Sequence, residues 1–463
     1  MHFQKASEGM LKSRSTRKER SEMEQLSLGL TNQQQGENLF EEVHALKRLE
    51  WAFAKVKANG GAAGPDGISV EEFEENLPNK LAKLKAELQS KRYEPQPVRR
   101  VSLPKPNGGE RHLGIANVRD RVVHQSILMA LEPYFEPEFS NSSYGFRGGR
   151  SQKGAIEAAR RHVANGKDWV VDLDLEKFFD TVNHDRVLQL IREKVSDSRV
   201  LKVIALTLRS GVMIDGKVEK STIGLPQGSP LSPLLSNIVL DKLDKELERR
   251  GLDFVRYADD ANIFVGSQKA AERVLTSITG YIEEKLKLRV NREKTQTAKS
   301  KAVKFLGMTI LASGLAVIAL GSLKKAKEKV KELISRSGRG SLEAQVEKVN
   351  QWYMGWSGYY QMTNYPNQLQ QIEANIRMRF RLQFIKNHKR KKHLVRKLRR
   401  QGIRGTTAYR AVYERNQGRW RLAHDLSVNL AWSNRWFRQQ GLKTRSDSSQ
   451  GHWQALEAYP RLV

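Results

Sequence analysis

The sequence predicts an α+β domain followed by an all-helical and strongly basic region. In the middle third of the chain, short apolar strands alternate with amphipathic helices. Some strands are joined by tight turns and others by helical connections, a mixture that is typical of α+β proteins. Near residue 320 the composition changes, and the remainder is helical in pattern, contains several tryptophans and is very basic. We therefore expect a sheet domain and a separate helical region.

The charge balance points to a polyanionic partner. The chain has 463 residues, of which 81 are lysine or arginine and 51 are aspartate or glutamate, and its formal net charge is +30. A surface this basic repels itself unless an anionic polymer neutralises it, so we expect a nucleic acid partner. Cysteine is absent, which excludes disulfide scaffolds, thiol nucleophiles and zinc sites that use cysteine. No apolar segment follows Met1, so we expect no secretory signal.

Local sequence patterns predict the structural elements of the first part of the chain. Residues 1–36 are polar and charge-mixed, which predicts a tail that orders only on a partner. The apolar spacing from Leu39 to Lys57 predicts one helix, which ends at glycine-rich turns. A strand from Val98 to Leu103, a turn at 105–109 and a return that begins at Arg111 predict a hairpin with a basic, glycine-rich tip.

The middle third carries the predicted sheet. The expected elements are a strand from Trp169 to Leu175, a helix from Asp185 to Lys194, a helix through Leu234 to Leu247 that follows a loop at 224–230, and a hairpin made by Phe254–Tyr257 and Asn262–Val265. Each apolar run is short and bounded by turn residues, as is typical of strands.

One stretch has the length of a membrane span. About 19 residues from Phe305 to Leu323 carry no charge. A turn at 312–314 interrupts this stretch, so its two halves, Phe305–Leu311 and Leu315–Leu320, are predicted to form a hairpin. An amphipathic helix is predicted from Lys324 to Ile334. We therefore expect no membrane partner.

Three carboxylates occupy positions that suggest chemistry. Asp174 ends an apolar strand, and Asp259 and Asp260 lie at the tip of a predicted hairpin. Carboxylates that meet at one place repel one another unless cations are present. Oxygen ligands suit Mg²⁺, and two such ions can activate an attacking hydroxyl and stabilise a leaving pyrophosphate. Because two aspartates in a turn are ordinarily only turn residues, this interpretation depends on accompanying motifs.

Such motifs are present, and they resemble those of reverse transcriptases. Tyr257-Ala258-Asp259-Asp260 resembles the YxDD box, and Asp174 to Asp180 resembles the family's other metal-binding strand. Further matches follow the family's order: the fingers hairpin at 101–121 (VSLPKPNGGERHLGIANVRDR), the SYGFRxGRS block at 143–151, the PQGxxxSP block within 224–237, and the segments NREKT at 291–295 and KFLG at 304–307. More narrowly, the chain resembles a bacterial group II intron reverse transcriptase/maturase.

The resemblance implies an architecture. The α+β part would be the fingers and palm of a right-hand polymerase with a mixed or antiparallel sheet, and the helical part an all-α, basic thumb/maturase region. The implied divisions are a polar tail at 1–36, the reverse transcriptase fingers and palm at 37–320, the thumb/maturase domain at 321–415, and a basic segment at 416–463 that is a candidate for DNA binding.

The resemblance also implies roles for individual residues. Asp174, Asp259, Asp260 and the main-chain oxygen of Leu175 would hold two Mg²⁺ ions. The implied nucleotide contacts are Lys105 and Arg111 on the triphosphate, Phe179 as the aromatic residue that excludes a ribose 2′-hydroxyl, Gln227 against the nascent base pair, and Lys294 as a proton donor to pyrophosphate.

Alternatives remain for several of these residues. Lys105 and Arg111 are also compatible with a solvated basic hairpin, and strand pattern alone favours Phe179 as a core residue. Asp172 shares a strand face with Asp174 but precedes the family motif, so we interpret it as structural or solvent-facing. We interpret Asp180 as a turn or helix-cap residue.

Basic residues outside the carboxylate motifs suggest contacts with nucleic acid. Arg147 and Arg150 are candidates for contacts with template phosphates, or they only brace a glycine-rich loop. The strongest charge run contains no acid and comprises Lys389, Arg390, Lys391, Lys392, Arg396, Lys397, Arg399 and Arg400, close after Lys386. Such a run implies nearby phosphates and salt-dependent binding. The aromatic residues between Trp352 and Tyr360 follow helical spacing, which favours a thumb core over base stacking.

Together these features imply an RNA-directed DNA polymerase that also binds its intron RNA. Its expected partners are dNTPs, an RNA template/DNA primer duplex, group II intron RNA during splicing and retrohoming, and target DNA. Its expected location is the bacterial cytoplasm, associated with the nucleoid or a ribonucleoprotein. Two alternatives remain: a maturase that acts only in splicing with an idle polymerase, and a domesticated relative that works in DNA repair or defence.

Overall fold

The computed structural model describes residues 38–104, 109–214, 216–220, 222–335, 340–388, 390–414 and 418–445. The predicted tail at 1–36 lies outside the described residues, as do Lys105 and Lys389. The described residues form two compact units, one made of residues up to 159 together with 167–298, and the other of 160–166 together with residues from 299 onward.

The secondary structure alternates helices and strands in the first unit and is mainly helical in the second. The helices are α1 (Leu39–Val43), α2 (Leu46–Asn59), α3 (Val70–Glu74), α4 (Leu77–Gln89), α5 (Val118–Phe135), α6 (Gln152–Ala164), α7 (Phe178–Thr181), α8 (His184–Arg192), α9 (Ser198–Arg209), α10 (Ser232–Arg249), α11 (Gln268–Glu284), α12 (Leu320–Leu333), α13 (Leu342–Tyr360), α14 (Asn367–Asn387), α15 (Lys391–Arg400), α16 (Gly405–Tyr409), α17 (Arg419–Ala423), α18 (Leu426–Ala431) and α19 (Asn434–Gln439). The strands are β1 (Val98–Pro104), β2 (Glu110–Ile115), β3 (Trp169–Asp174), β4 (Val212–Ile214), β5 (Lys217–Glu219), β6 (Asp253–Tyr257), β7 (Asp260–Val265), β8 (Gln296–Lys299), β9 (Met308–Ile310) and β10 (Ala316–Ile318).

The strands form two four-stranded sheets and one hairpin. The first sheet has the order β2-β1-β4-β5, in which β1 is antiparallel to β2 and parallel to β4. The second has the order β6-β7-β3-β8, in which β7 is antiparallel to both β6 and β3. The α+β class predicted from the sequence is therefore confirmed.

The core of the first unit forms where helices cover one face of the second sheet. Val171, Leu173, Ala261 and Ile263 are buried on that face, and the helices α10 and α11 pack against these strands. Burial of this apolar surface is the main favourable contribution to folding. On the opposite face, the pairs of Asp172 with Asn262 and of Asp174 with Asp260 carry polar side chains at one end of β3 and β7, so this end is left for the candidate site.

Most local predictions hold, and one helix is corrected. The predicted helix from Leu39 to Lys57 is two helices, α1 and α2, which are interrupted at His44 and Ala45. Both pieces pack against α5, and the break lets each one turn its own apolar side toward that helix. Packing between helices therefore overrides a continuous helical pattern.

The hairpin of β9 and β10 belongs to the helical unit. The compact division falls between residues 298 and 299, earlier than the change of composition near residue 320 that predicted a boundary. Two side chains bind the side of β10 that is not paired with β9. Asn364 Oδ1, just before α14, accepts from Ala316 N at 2.8 Å, and Gln368 Oε1, in the first turn of α14, accepts from Ile318 N at 2.8 Å. Gln368 Nε2 donates in return to the Ile318 carbonyl at 3.0 Å.

The apolar stretch near residues 305–323 contains the predicted hairpin, but the helix α12 begins at Leu320, four residues before the predicted start at Lys324. Among the described residues, no helix combines the length and the apolar character that crossing a bilayer requires.

Candidate active site

The register between β3 and β7 brings the predicted acids together. Asp174 pairs directly with Asp260, and Asp172 pairs with Asn262. Directly opposite residues in an antiparallel pair project from the same face of the sheet, so these four side chains share one face. Asp259 precedes β7 by one residue, in the tight connection between β6 and β7. Residues that lie far apart in the sequence therefore meet at one end of a sheet.

A strained turn presents Asp259 and Asp260. Ala258 has a φ of +59°, in the left-handed region that residues other than glycine rarely adopt. Such a backbone conformation costs about 1–3 kcal/mol and persists only where its surroundings enforce it. Gly145 contributes to that enforcement, because a Cβ at Gly145 would lie 2.2 Å from the Ala258 nitrogen.

The segment from residue 289 to 296 hydrogen-bonds to Asp174 from the side of β3 opposite to β7. Asn291 N donates to the Asp174 carbonyl at 2.9 Å, and the Asp174 amide donates to Thr295 Oγ1 at 3.1 Å. Lys294 Nζ donates to Asp174 Oδ2 at 3.1 Å. Lys294 is thus beside the first predicted metal ligand. Leu175 follows directly and forms a bridge with Val290.

The donor set at this end of the sheet fits Mg²⁺ in its chemistry. Asp174 retains a side chain that is 38% exposed, and its neighbours on this face offer carboxylate and amide oxygens, which are the donors that Mg²⁺ prefers. Across the described ranges, the acidic and histidine side chains do not form a preassembled group of three for a metal ion. The main-chain register places the acids, while Lys294 balances the charge of Asp174.

Asp172 lies on the same face but differs in its surroundings. Its Oδ2 accepts from Gln296 Nε2 at 3.2 Å. Burial raises the pKa of the Asp172 carboxyl above its usual value, and repulsion from Asp174 acts in the same direction. This half-buried, hydrogen-bonded position agrees with the structural interpretation of Asp172.

Two of the residues that were predicted to contact a nucleotide, Phe179 and Gln227, are connected through hydrogen bonds of neighbouring residues. Phe179, on α7, is half-buried, and its ring meets that of Phe178 at a centroid distance of 5.4 Å. The Phe179 carbonyl accepts from Leu225 N at 2.6 Å, which ties α7 to the loop at 224–230. Gln227, in that loop, donates from Nε2 to Asp180 Oδ1 at 3.1 Å. Asp180 therefore anchors Gln227. Asp180 lies inside the single turn of α7, between the cap residues Lys177 and Val182, so of the two alternatives, turn residue or helix cap, the cap is wrong.

The same loop also binds the fingers hairpin. The Gln227 carbonyl accepts from Gly114 N, on β2, at 2.7 Å. A Cβ at Gly228 would lie 2.6 Å from the Gly114 oxygen, so the two backbones can approach this closely because position 228 is glycine. Arg111 lies on β2, paired with Leu103 on β1. The structure thus joins the predicted hairpin to the predicted nucleotide loop, while Lys105 lies outside the described residues.

Sequence reasoning missed a buried polar network behind the turn. Arg256, in the middle of β6, is 1% exposed. Its Nε donates to Asp244 Oδ1 at 2.7 Å, and its Nη1 donates to Asn237 Oδ1 at 3.0 Å and to the Ala258 carbonyl at 2.9 Å. The signal in the sequence is an arginine inside the apolar run Phe254–Tyr257, whose pattern by itself predicts only a strand.

A second acid on α10 adjoins this network. Burial, assisted by repulsion from Asp244, raises the pKa of Asp241 to about 6. Because a raised pKa makes the charged form of Asp241 less favourable, the positive charge of Arg256 is balanced mainly by Asp244, whose side chain is fully buried.

The two arginines of the glycine-rich loop have structural partners. Arg147 is buried, and it donates to Glu136 Oε1 at 2.7 Å and to the Ser143 carbonyl at 3.0 Å. Arg150 donates to the carbonyl and to the side-chain oxygen of Asn141 at 2.8 and 2.7 Å. For Arg147 this burial favours the loop-bracing alternative over a contact with template phosphate.

Most of the basic run lies on the helix α15, which has one apolar side. Leu394 and Leu398 on α15 are buried, so the basic side chains occupy the rest of its circumference. The exposed cations are Arg390, Lys391, Lys392, Arg396, Arg399 and Arg400, and Lys397 is half-buried. The helix α15 contains no acidic residue, and Lys389 lies outside the described residues. This exposed surface is suited to phosphate contacts.

The aromatic residues of α13 form a packed row. Trp352 and Tyr353 are buried, and the Trp356 ring lies 5.9 Å from that of Trp352 and 4.7 Å from that of Tyr360. Their assignment to a helical core, rather than to base stacking, is confirmed for Trp352 and Tyr353.

Comparisons with known proteins match both parts of the chain. Residues 103–310 match the family model described as reverse transcriptase (RNA-dependent DNA polymerase), and residues 323–402 match the group II intron maturase-specific domain. The chain is 34% identical to Protein YkfC of Escherichia coli (strain K12), over 50% of this chain and 71% of that protein. It is 28% identical to the group II intron-encoded protein LtrA of Lactococcus lactis subsp. cremoris, over 65% of this chain and 60% of that protein. It is also 29% identical to the putative COX1/OXI3 intron 2 protein of Saccharomyces cerevisiae, over 57% of this chain and 38% of that protein.

The close approach at Gly145 yields a test of how the turn is held. We expect Gly145→Ala to lower the free energy of unfolding by about 2 kcal/mol or more, because its Cβ must displace backbone rather than a flexible side chain. It should also speed hydrogen exchange at residues 257–260. Gly148→Ala is the matched control in the same loop, since no heavy atom lies within 4 Å of its Cβ. Equal stability of the two variants, measured by urea denaturation, would contradict this account of the turn.

Proposed function

The chain belongs to the group II intron reverse transcriptase/maturase family, and we propose that it extends a DNA primer on an RNA template and binds intron RNA through its basic helices. The observation that carries the polymerase half is the register of β3 with β7, which pairs Asp174 with Asp260 and sets Asp259 beside them. The match to the reverse transcriptase family over residues 103–310 supports the proposed polymerase activity.

In the proposed reaction, Asp174, Asp259, Asp260 and the Leu175 carbonyl hold two Mg²⁺ ions. When bound, such ions activate the primer 3′-hydroxyl and neutralise the charge of the triphosphate. The protein's contribution is to hold oxygen donors on one sheet face. The main chain of Asp174 is held by hydrogen bonds to Asn291 and Thr295, and its carboxylate accepts from Lys294, so the carboxylate is oriented before substrate binds.

Lys294 has a proposed role in the same site. Its ammonium group lies 3.1 Å from Asp174 Oδ2. A cation that exchanges between this carboxylate and a phosphate oxygen can offset charge on the leaving pyrophosphate and donate a proton to it. Arg111 and Lys105 are proposed to contact the same triphosphate from the fingers hairpin.

Phe179 and Gln227 are proposed to contact the incoming nucleotide and to select it. The loop at 224–230 hydrogen-bonds to α7 through Leu225 and to β2 through the Gln227 carbonyl. It therefore fixes the half-buried Phe179 ring and the Gln227 main chain with respect to each other. A bulky ring in a fixed position can exclude a 2′-hydroxyl, which favours dNTPs.

The RNA-binding half of the proposal rests on α15. Its exposed cations have no acidic residue among them, and the maturase-specific match at 323–402 includes this helix. We propose that it contacts intron RNA by shape and phosphate recognition, in support of splicing and of insertion into target DNA. We propose that this activity takes place in the bacterial cytoplasm, in association with the nucleoid or a ribonucleoprotein, where such substrates are found.

Removing the proposed ligands should abolish synthesis. We expect Asp174→Asn and Asp259→Ala each to reduce primer extension on an RNA template at least 100-fold, equivalent to about 2.7 kcal/mol of lost transition-state stabilisation. Asp172→Asn, on the same face, should stay within about threefold of the wild type. Intron RNA binding by Asp259→Ala should not change. Undiminished synthesis by Asp259→Ala would refute the polymerase assignment.

Sugar discrimination should depend on Phe179. We expect Phe179→Ala to lower the ratio of dNTP to rNTP incorporation at least tenfold, because the ring no longer fills the space of a 2′-hydroxyl. Phe178→Leu is the neighbouring control: Phe178 is 2% exposed, so this variant should lose stability but keep the ratio. The measurement is single-nucleotide extension with each substrate, and an unchanged ratio in Phe179→Ala would rule out this role.

Charge removal on α15 should weaken RNA binding in a salt-dependent way. We expect Arg396→Gln, Arg399→Gln and Arg400→Gln in combination to reduce the slope of log K against log salt by about 2. The charge-matched control replaces Arg209, Lys245 and Arg249 with glutamine. These cations already face Asp185, Glu248 and Glu246, so their loss should change the slope little. Equal slopes for both triple variants would contradict a specific role for α15.

A further inference from the structure

We propose that Arg256 is a positioning residue that fixes the main chain of the turn between Tyr257 and Asp260. Through that turn it sets where Asp259 and Asp260 lie with respect to Asp174. This inference rests on the proposed polymerase function and assigns a role to a buried residue outside the proposed metal and nucleotide contacts.

The location of Arg256 excludes direct chemistry. Arg256 pairs with Ala261 on β7, and Ala261 pairs with Leu173 on β3. Side chains alternate between faces along a strand, so Arg256 projects from the apolar face, opposite to Asp174 and Asp260. Any influence on the carboxylates must therefore pass through the backbone.

The guanidinium is held by a rigid partner. Its Nε and Nη2 donate to the two oxygens of Asp244, on α10, at 2.7 and 2.5 Å. The side chains of Arg256 and Asp244 are 1% and 0% exposed. A buried bidentate pair has one favoured orientation, because both charges lose their hydrogen bonds if it rotates. The remaining edge of the guanidinium is thereby aimed at the turn.

The remaining edge of the Arg256 guanidinium donates a hydrogen bond directly to the strained residue, Ala258. Arg256 Nη1 donates to the Ala258 carbonyl at 2.9 Å and to Asn237 Oδ1 at 3.0 Å. Asn237 Nδ2 in turn donates to the Gly145 carbonyl at 2.9 Å, and Gly145 packs against the Ala258 nitrogen. One guanidinium thus connects both sides of the residue that adopts a left-handed conformation.

The backbone of Arg256 joins the same assembly. Its amide donates to the Ser142 carbonyl at 2.9 Å, and its carbonyl accepts from Tyr144 N at 2.8 Å. Replacing a buried ion pair with apolar residues of similar size often leaves stability unchanged or higher. Stability alone therefore gives a weak reason for a charged pair at this point, whereas a directional hydrogen bond to Ala258 requires a donor there.

The test uses Arg256→Lys, which keeps a positive charge for Asp244 but loses the planar fork that also reaches Ala258. We expect kcat for primer extension at saturating dNTP to fall at least tenfold, with KM for dNTP within about threefold of the wild type. The affinity for Mn²⁺, titrated by the paramagnetic signal of the free ion, should weaken at least threefold. Arg381→Lys is the control, because Arg381 is another buried arginine, which donates to the Trp432 carbonyl; it should leave Mn²⁺ affinity unchanged.

A second variant keeps the test decisive if a lone lysine destabilises the core. Arg256→Met combined with Asp244→Leu removes both buried charges together and should preserve folding, while it loses kcat as Arg256→Lys does. Wild-type kcat and Mn²⁺ affinity in either folded variant would overturn the proposal. So would an activity loss that follows only the unfolded fraction, measured by thermal melting. Extension by the wild type that requires Asp259 establishes the proposed function, so an active Arg256 variant would contradict the positioning role alone.

Discussion

The antiparallel register of β3 with β7 is the constraint on which the candidate site depends. Because side chains alternate along each strand, a slip of one residue would send Asp260 to the apolar face and pair Asp174 with a different neighbour. The buried residues Leu173 and Ala261 oppose such a slip, since it would expose them to water. The hydrophobic core therefore sets the geometry of the polar face, although it contributes no group to that face.

The acids on one face of the sheet repel one another, and groups on both faces of the sheet help to stabilise this arrangement. On the polar side, Lys294 lies beside Asp174 and offsets its charge. On the apolar side, the pair formed by Arg256 and Asp244 is buried and neutral as a unit, so it can support the turn without adding net charge beneath the acids. The strained backbone at Ala258 is thus stabilised by polar contacts that are themselves protected from water.

The sequence predicted what local pattern and motif determine. Hairpins and helices followed from short apolar runs between turn residues, and the motif around Asp259 indicated the site before any contact was known. The break within Leu39–Lys57 could not be predicted, because it arises from the packing of two helices against a third. The role of Arg256 depends on partners on another helix and on a loop, and the burial of Arg147 likewise depends on three-dimensional packing. Such contacts between distant segments leave little trace in a single sequence.

The side chains on the outer edge of β10 have a consequence for the behaviour of the protein in concentrated solution. An unpaired strand edge is a template on which another chain can add a strand, and this is a common start of aggregation. Asn364 and Gln368 accept hydrogen bonds from the edge amide groups of Ala316 and Ile318, so this two-stranded hairpin has no unpaired main-chain amide at these two positions. Side-chain amides on this edge therefore remove one route by which a second copy of the chain could add a strand.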